Sequence, residues 1–146
     1  MSATIRPMRP RDFGAVYELG VRCYKLTDKP YNYWSIREVA DHLQGCPQLC
    51  LVAESEGEIV AFGLGTDSFE IIEDTAHLEW IAVAPEHRRQ GVGGEILSRL
   101  VDIARGMGRR RVVADIATDN AYSQGMARKV GFREGLSVTY FVKDLD

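Results

Sequence analysis

Arg88, Arg89, Gly91, Gly93 and Gly94 crowd into one short stretch of this chain. They follow an apolar run over residues 78–83, broken at Pro85, and they precede a long amphipathic run. A glycine-rich turn ahead of a helix leaves backbone N–H groups unpaired at the positive end of the helix dipole. Missing Cβ atoms let a phosphate approach that backbone closely, and the arginines strengthen the site. The implied chemistry is the holding of a phosphate-bearing ligand. Two familiar phosphate loops are excluded, because neither GxxxxGK followed by Ser or Thr nor GxGxxG occurs. The preceding strand carries a second chemical feature, the acid Glu79 among apolar neighbours. The strand pleat predicts His77, Glu79, Ile81 and Val83 on one face. A later strand carries another carboxylate, Asp115, shortly before Asn120.

The elements that must position these groups are legible from the N-terminus onward. Residues 4–8 read as a strand, and Asp12 can cap a helix beginning at Phe13. Val16, Leu19, Gly20 and Cys23 recur at helical spacing in that helix and should face a sheet. The loop holding Tyr31, Asn32, Tyr33 and Trp34 is rich in turn formers and aromatics. Ser35 caps the next helix, with Glu38 completing a capping box, and Ile36, Val39, Ala40 and Leu43 form its apolar face. Strands over 48–54 and 59–66 make a hairpin about Glu56-Gly57-Glu58. An acidic link through Asp67, Glu70, Glu73 and Asp74 leads to the strand 75–83 and the anion turn. Gly93, Ile96, Leu97, Leu100, Val101 and Ala104 then form a helical stripe that Gly106 and Gly108 end. A strand over 111–118, a helix from Asn120 to Val130 and a terminal strand over 136–142 complete the chain.

The 146 residues suit a single domain, with no internal repeat, linker or low-complexity tract. A composition 45% hydrophobic and 27% charged is that of a globular protein. No run approaches the roughly 18 apolar residues of a membrane helix, and the N-terminus lacks the apolar core of a signal peptide. A cytoplasmic protein is expected. Cys23, Cys46 and Cys50 are odd in number and lack a complementary histidine set, so they read as reduced thiols and no metal site is expected. A net charge of −3 argues against nucleic-acid binding. Arg109, Arg110 and Arg111 follow a helix end, where cations are favoured, and attraction of a ligand phosphate is the other reading.

Arg88-x-x-Gly91-x-Gly93, directly after a strand ending Ile81-Ala82-Val83, strongly resembles the acyl-CoA signature of the GNAT superfamily of N-acyltransferases, Gln/Arg-x-x-Gly-x-Gly/Ala. The downstream Asn120 and Gly131-Phe132 extend the likeness, which covers nearly the whole chain. It implies an α/β fold with a mixed, mostly antiparallel sheet, splayed central parallel strands and helices on both faces. The fourth and fifth strands part at one end, and the pantetheine arm of CoA fills the gap like an added strand. By this resemblance Ile81, Ala82 and Val83 contact pantetheine, while Arg88, Arg89, Gln90, Gly91, Val92, Gly93 and Gly94 hold the pyrophosphate. Asn120 bonds the CoA arm and Ser123 touches it.

The implied reaction is acetyl transfer from the co-substrate acetyl-CoA to a primary amine, by direct attack in a ternary complex. It requires juxtaposed reactants, a polarised carbonyl, an amine stripped of its proton and a departing thiolate. A backbone N–H near Val83 polarises the carbonyl. Many members of the family place the base at the position of Glu79, and others at that of Asp115; both are candidates here, with His77 as a partner. Where the family usually presents a tyrosine to the thiolate, this chain has Ala127, and Tyr122, Tyr140 or a water could substitute. The absence of that phenol also supports a different reading, a non-catalytic acyl-CoA-binding or sensor domain. The acceptor is a small-molecule or peptide amine, the aromatic loop could wall its pocket, and a homodimer is left open.

Overall fold

The computed structural model describes residues 3–24 and 33–146. In order, the chain forms β1 (Thr4–Pro7), α1 (Phe13–Cys23), α2 (Ile36–Gly45), β2 (Cys50–Ser55), β3 (Glu58–Thr66), β4 (Thr75–Val83), α3 (Val92–Gly106), β5 (Arg111–Ala114) and α4 (Ala121–Val130). Short 3-10 turns precede α1, β2 and the anion turn. The five strands lie in sequence order, antiparallel except for the parallel pair β4–β5. Residues 31 and 32 of the aromatic loop, with the turn formers over 27–30, lie outside the described residues. Among the described residues no helix is long and apolar enough to cross a membrane.

Periodicity decides which face each helix buries. On one side of the sheet Val16 and Leu19 of α1 and Val39 of α2 pack with Trp34 against Val52, Phe62, Leu64 and Ala82. Trp34 stacks on Phe62 at 5.4 Å and donates its indole N–H to the Tyr17 carbonyl at 3.1 Å. On the other side Ile96, Leu97, Leu100 and Ala104 of α3 and Ala127 of α4 cover Leu51, Ala61, Leu78 and Val83. The α3 stripe is as predicted, with Val92 added and Val101 only half-buried.

Three local expectations give way to tertiary contacts. Asp12 does not cap α1; its carboxylate accepts both arms of the Arg6 guanidinium, at 2.8 and 2.9 Å, and the Arg9 N–H at 2.8 Å. Arg6 also reaches Glu54 on β2 at 2.8 Å, so the chain entry is pinned to the sheet by a bidentate pair that a single cap bond could not match. Ile36 is 51% exposed, and α2 buries Val39 and His42 instead. Residues 136–142 join no ladder, with Leu136 and Phe141 more than 90% exposed. Alternation gives a strand two faces but no partner, and the ladder stops at β5.

Candidate active site

The β4–β5 ladder runs from Thr75↔Arg111 to Leu78↔Ala114 and then stops. Beyond that point the strands part over a cleft, lined by Leu78–Ile81 on one side and Ala114–Ile116 on the other. Leu97 and Leu100 lie within it, with Ser123 and Met126 from α4. Ala84 donates to the Val60 carbonyl at 2.8 Å, so by alternation Ala82 also turns its polar groups to β3 while Ile81 and Val83 turn theirs to the gap. Side chains cover those exposed carbonyls. Tyr24 donates its hydroxyl to Ile81 O at 2.9 Å, and Arg88 Nε donates to Val83 O at 3.1 Å, with Cys23 Sγ 3.6 Å from the same oxygen. Burial holds the Tyr24 hydroxyl well above the usual tyrosine range, so it remains a donor.

The anion turn forms as its sequence dictates. Arg89 (φ 65°) and Gly91 (φ 83°) take left-handed conformations, which bring successive backbone N–H groups to one side. Among the described residues, none accepts a hydrogen bond from the backbone N–H groups of residues 89 to 94. Gly91 is required by its torsion, since an added Cβ would meet open space there. Gly93 is required by packing: its Cβ would lie 2.6 Å from Met126 Sδ and 2.9 Å from Val83 Cγ2. The two glycines therefore serve different ends, one shaping the turn and one seating α3 against β4 and α4. The Arg88 guanidinium stacks on the Tyr122 ring at 4.9 Å. Asn120 caps α4 by accepting from Ser123 N at 3.1 Å, and Ser123 is buried. Ala127 is core packing, so no polar side chain stands at that position. Tyr140 lies in the exposed terminal segment. Arg109 bonds the Asp67 and Met107 carbonyls and ties the end of α3 to the acidic link.

The carboxylates owe their arrangement to a β-bulge. Leu64 pairs with Trp80 and Gly65 with Leu78, which leaves Glu79 as an extra residue in β4. The pleat reverses parity there: Ala76 and Leu78 share the α3 face with Ile81 and Val83, whereas Trp80 and Ala82 face α1 and α2. The predicted common face of His77, Glu79, Ile81 and Val83 is therefore split, and Glu79 is aimed toward α2. Bulges commonly re-aim a side chain in this way.

Around Glu79 five groups converge. Its Oε1 lies 3.6 Å from His42 Nε2 and 3.7 Å from His77 Nδ1, and its Oε2 accepts the Tyr33 hydroxyl at 3.2 Å. His77 Nε2 meets Asp115 Oδ1 at 2.5 Å, so one imidazole joins the two predicted carboxylates. Partial desolvation opposes ionisation of Asp115, though its side chain is largely exposed, and the His77 hydrogen bond prevails and holds its carboxyl below the usual range. On the inner side His42 Nε2 lies 3.3 Å from Glu38 Oε2, which also accepts the Trp80 indole N–H at 2.7 Å. Burial of its hydroxyl end and the charges of Glu79 and Glu38 raise Tyr33 above the usual tyrosine range. Among the described residues, Glu38, His42 and Glu79 bring carboxylate and imidazole atoms within 4.8 Å of one another.

Glu38, His42 and Tyr24 were not singled out from sequence as site residues, Glu38 being read only as part of the α2 capping box. The Ser35 hydroxyl does cap α2 by accepting from Glu38 N at 3.1 Å, but the Glu38 carboxylate turns inward rather than back to the cap. The available signal was a histidine three residues beyond Val39, on the buried face of an amphipathic helix. Taken together, an open strand edge, an unpaired N–H turn and a carboxylate–imidazole cluster can seat an extended phosphate-bearing ligand and take a proton from a cationic group beside it.

Over most of its length the chain is similar to known proteins. The acetyltransferase (GNAT) family is matched over residues 13–132. An aminoglycoside N(6')-acetyltransferase type 1 of Acinetobacter haemolyticus is 34% identical over 125 residues, 77% of this chain and 86% of its own. A ribosomal protein bS18-alanine N-acetyltransferase of Escherichia coli is 27% identical over 131 residues, 90% of this chain and 81% of its own. The solved structure of diaminobutyrate acetyltransferase EctA from Paenibacillus lautus, with L-2,4-diaminobutyric acid and coenzyme A, is also similar. It matches with a TM-score of 0.71 at 25% identity, over 87% of this chain and 73% of that one.

Proposed function

The chain belongs to the acetyltransferase (GNAT) family, and on that premise we propose that it is an acetyl-CoA-dependent N-acetyltransferase whose acceptor is a small molecule with more than one amine. The observation that carries the reading is the bulge at Glu79, which sets a carboxylate beside the open edge of β4. In this scheme the pyrophosphate lies on the N–H groups of the turn from Arg88 to Gly94, and the pantetheine runs along Ile81 and Val83. Ala82 contributes through the strand rather than by direct bonding. Asn120 and Ser123 border the arm from α4.

Glu79, directly or through a water, takes the proton from the acceptor ammonium. The free amine attacks the thioester carbonyl, whose developing oxyanion is stabilised by a backbone N–H on the gap side of β4. Attack forms the C–N bond; collapse of the tetrahedral adduct re-forms the carbonyl and breaks the C–S bond, and the second proton of the amine nitrogen passes through water to the departing thiolate. A thiol with a pKa near 8.5 is a tolerable leaving group without an acid, which is consistent with Ala127. Asp115, through His77, holds the cluster together and can pass the proton to solvent.

The polyamine preference is supported by the acids Glu38, Glu79 and Asp115 beside the aromatic rings of Tyr33 and Trp80, which lie 5.2 Å apart. Negative charge concentrates cations, and aromatic faces receive them. Two relatives named for polyamine substrates point the same way. Thiol release measured over monoamines, diamino acids, aminoglycosides and peptides with an N-terminal alanine checks the proposal. A polyamine should exceed the peptides in kcat/KM by about tenfold or more, with an advantage that shrinks as salt rises. Preference for the peptide would overturn this choice of acceptor, and binding of acetyl-CoA without release of thiol on any amine would favour a sensor.

A homodimer is also proposed. It is supported by apolar residues along the terminal segment, Leu136, Val138, Phe141, Val142 and Leu145, all at least 55% exposed, and by a sheet whose β5 edge, among the described residues, carries no further strand. Sedimentation should give twice the monomer mass for the full chain and the monomer for a chain ending at residue 134; a full chain that sediments as a monomer would refute it.

A further inference from the structure

His42 is the least accessible ionisable group near the cleft, 4% exposed, and its two ring nitrogens face opposite demands. Nδ1 lies 3.2 Å from the Gly65 carbonyl, which can only accept, so Nδ1 carries a proton. If His42 were neutral, Nε2 would then present a lone pair to two carboxylates, Glu38 at 3.3 Å and Glu79 at 3.6 Å. That arrangement is repulsive on both sides. With Nε2 protonated it becomes an imidazolium clamped by two negative charges in a half-buried site, where such attraction is stronger than in water.

We propose that His42 is the positioning residue of the base: as an imidazolium anchored on Gly65 O, it holds the Glu79 carboxylate in place and aimed at the cleft, with Glu38 as its inner counter-charge. Glu38 and His42 stand one helical turn apart on α2, so the helix that covers the acceptor side also supplies the charge that readies the base. Glu38 is fixed in turn by the Trp80 indole, whose ring lies between the bulge and the aromatic cluster. The other groups facing this pair are His77 and Asp115 on the outer side and the Tyr33 hydroxyl above Glu79.

The titration behaviour agrees with the geometry. Burial alone would lower His42, but the Glu38 hydrogen bond, the Glu79 charge and the Gly65 carbonyl outweigh it and raise His42 above its ordinary 6.5. Because the folded protein holds this proton more tightly than the unfolded chain, the stability it contributes is complete below pH 6.5. It is lost as pH rises through the folded value.

The inference rests on Glu79 as base, and its test separates the two ideas. The chain has three histidines, so ring resonances can be titrated by NMR and assigned by substitution. In the wild-type protein His42 should remain charged above the pH at which an ordinary histidine is half-titrated, and Glu38→Gln should lower that midpoint. His42→Gln keeps the reach toward Glu38 and Glu79, while His42→Asn keeps the Gly65 bond, and neither carries charge. In both, kcat should fall by about tenfold or more while KM for acetyl-CoA holds, because the base is no longer held toward the cleft. A lower Tm with kcat unchanged would mean that His42 only packs, and a wild-type His42 that is neutral at pH 6.5 would overturn the proposal without any variant at position 42. If Glu79→Gln retains nearly full activity, the base assignment falls and takes the positioning role with it, whatever the histidine titration shows.

Discussion

Glu79→Gln should lower kcat by roughly 10²-fold or more, the range of a lost general base. The substitution preserves shape and leaves the Tyr33 hydroxyl an oxygen to meet, so the cluster should keep its geometry while losing its proton acceptor. KM for acetyl-CoA should change little, because the turn over residues 88–94 is untouched. Activity should partly return at high pH, as more of the acceptor arrives already deprotonated. Asp115→Asn is the comparison. Its side chain is 62% exposed and reaches Glu79 only through His77, so its loss should be several-fold smaller and weakly dependent on pH. A deep, pH-rescued loss in Asp115→Asn beside a nearly normal Glu79→Gln would invert the assignment. Normal activity in both would leave proton removal to bulk water.

Gly91→Glu should abolish the stabilisation that acetyl-CoA confers. At a hundredfold excess over Kd a ligand adds about 2.7 kcal/mol, equivalent to roughly 5 to 10 °C in Tm for a domain of this size. The variant combines two effects that a control can part. Its φ of 83° is costly for a side chain, by about 1–2 kcal/mol, so the ligand-free Tm should fall. Its Cβ meets nothing within 4 Å, and the new negative charge is added at the turn proposed for the pyrophosphate, which it repels. Gly91→Asn tolerates the torsion and adds no charge, so it should keep most of the ligand-induced shift. Equal shifts in wild type and Gly91→Glu would remove the turn from the cofactor site.

Much of the frame was legible in the sequence because its signals are local. The α3 stripe, the bounds of β4, the Ser35 cap and the N–H turn each depend on residues within one or two turns of each other. The site was legible in its identities but less so in its arrangement. Nothing around Glu79 announces that β4 carries an extra residue, since a bulge is decided by register with β3 across the sheet. Without it, strict alternation puts Glu79 on the wrong face. Glu38 satisfied the capping-box pattern, yet Trp80 and His42 offered its carboxylate stronger partners than an exposed N–H. Asp12 was claimed in the same way by Arg6. Residues 136–142 have the alternation of a strand, but a strand exists only where another offers it a ladder.

The capped edge of β4 bears on how the protein survives without its ligand. A strand that leaves backbone groups open is a template for any other extended chain, and uncovered edges lead to aggregation. Tyr24 and Arg88 occupy the two carbonyls that face the gap, each on a rotatable stem rather than a rigid backbone. They act as stoppers that deny the edge to foreign strands, and on the proposed placement of the ligand arm these bonds would give way to donors that the ligand brings. On that placement loading would be an exchange of hydrogen bonds with little net gain along the arm. Discrimination between the correct ligand and a stray peptide would then fall to the phosphate end, where among the described residues none accepts from the N–H groups of the turn.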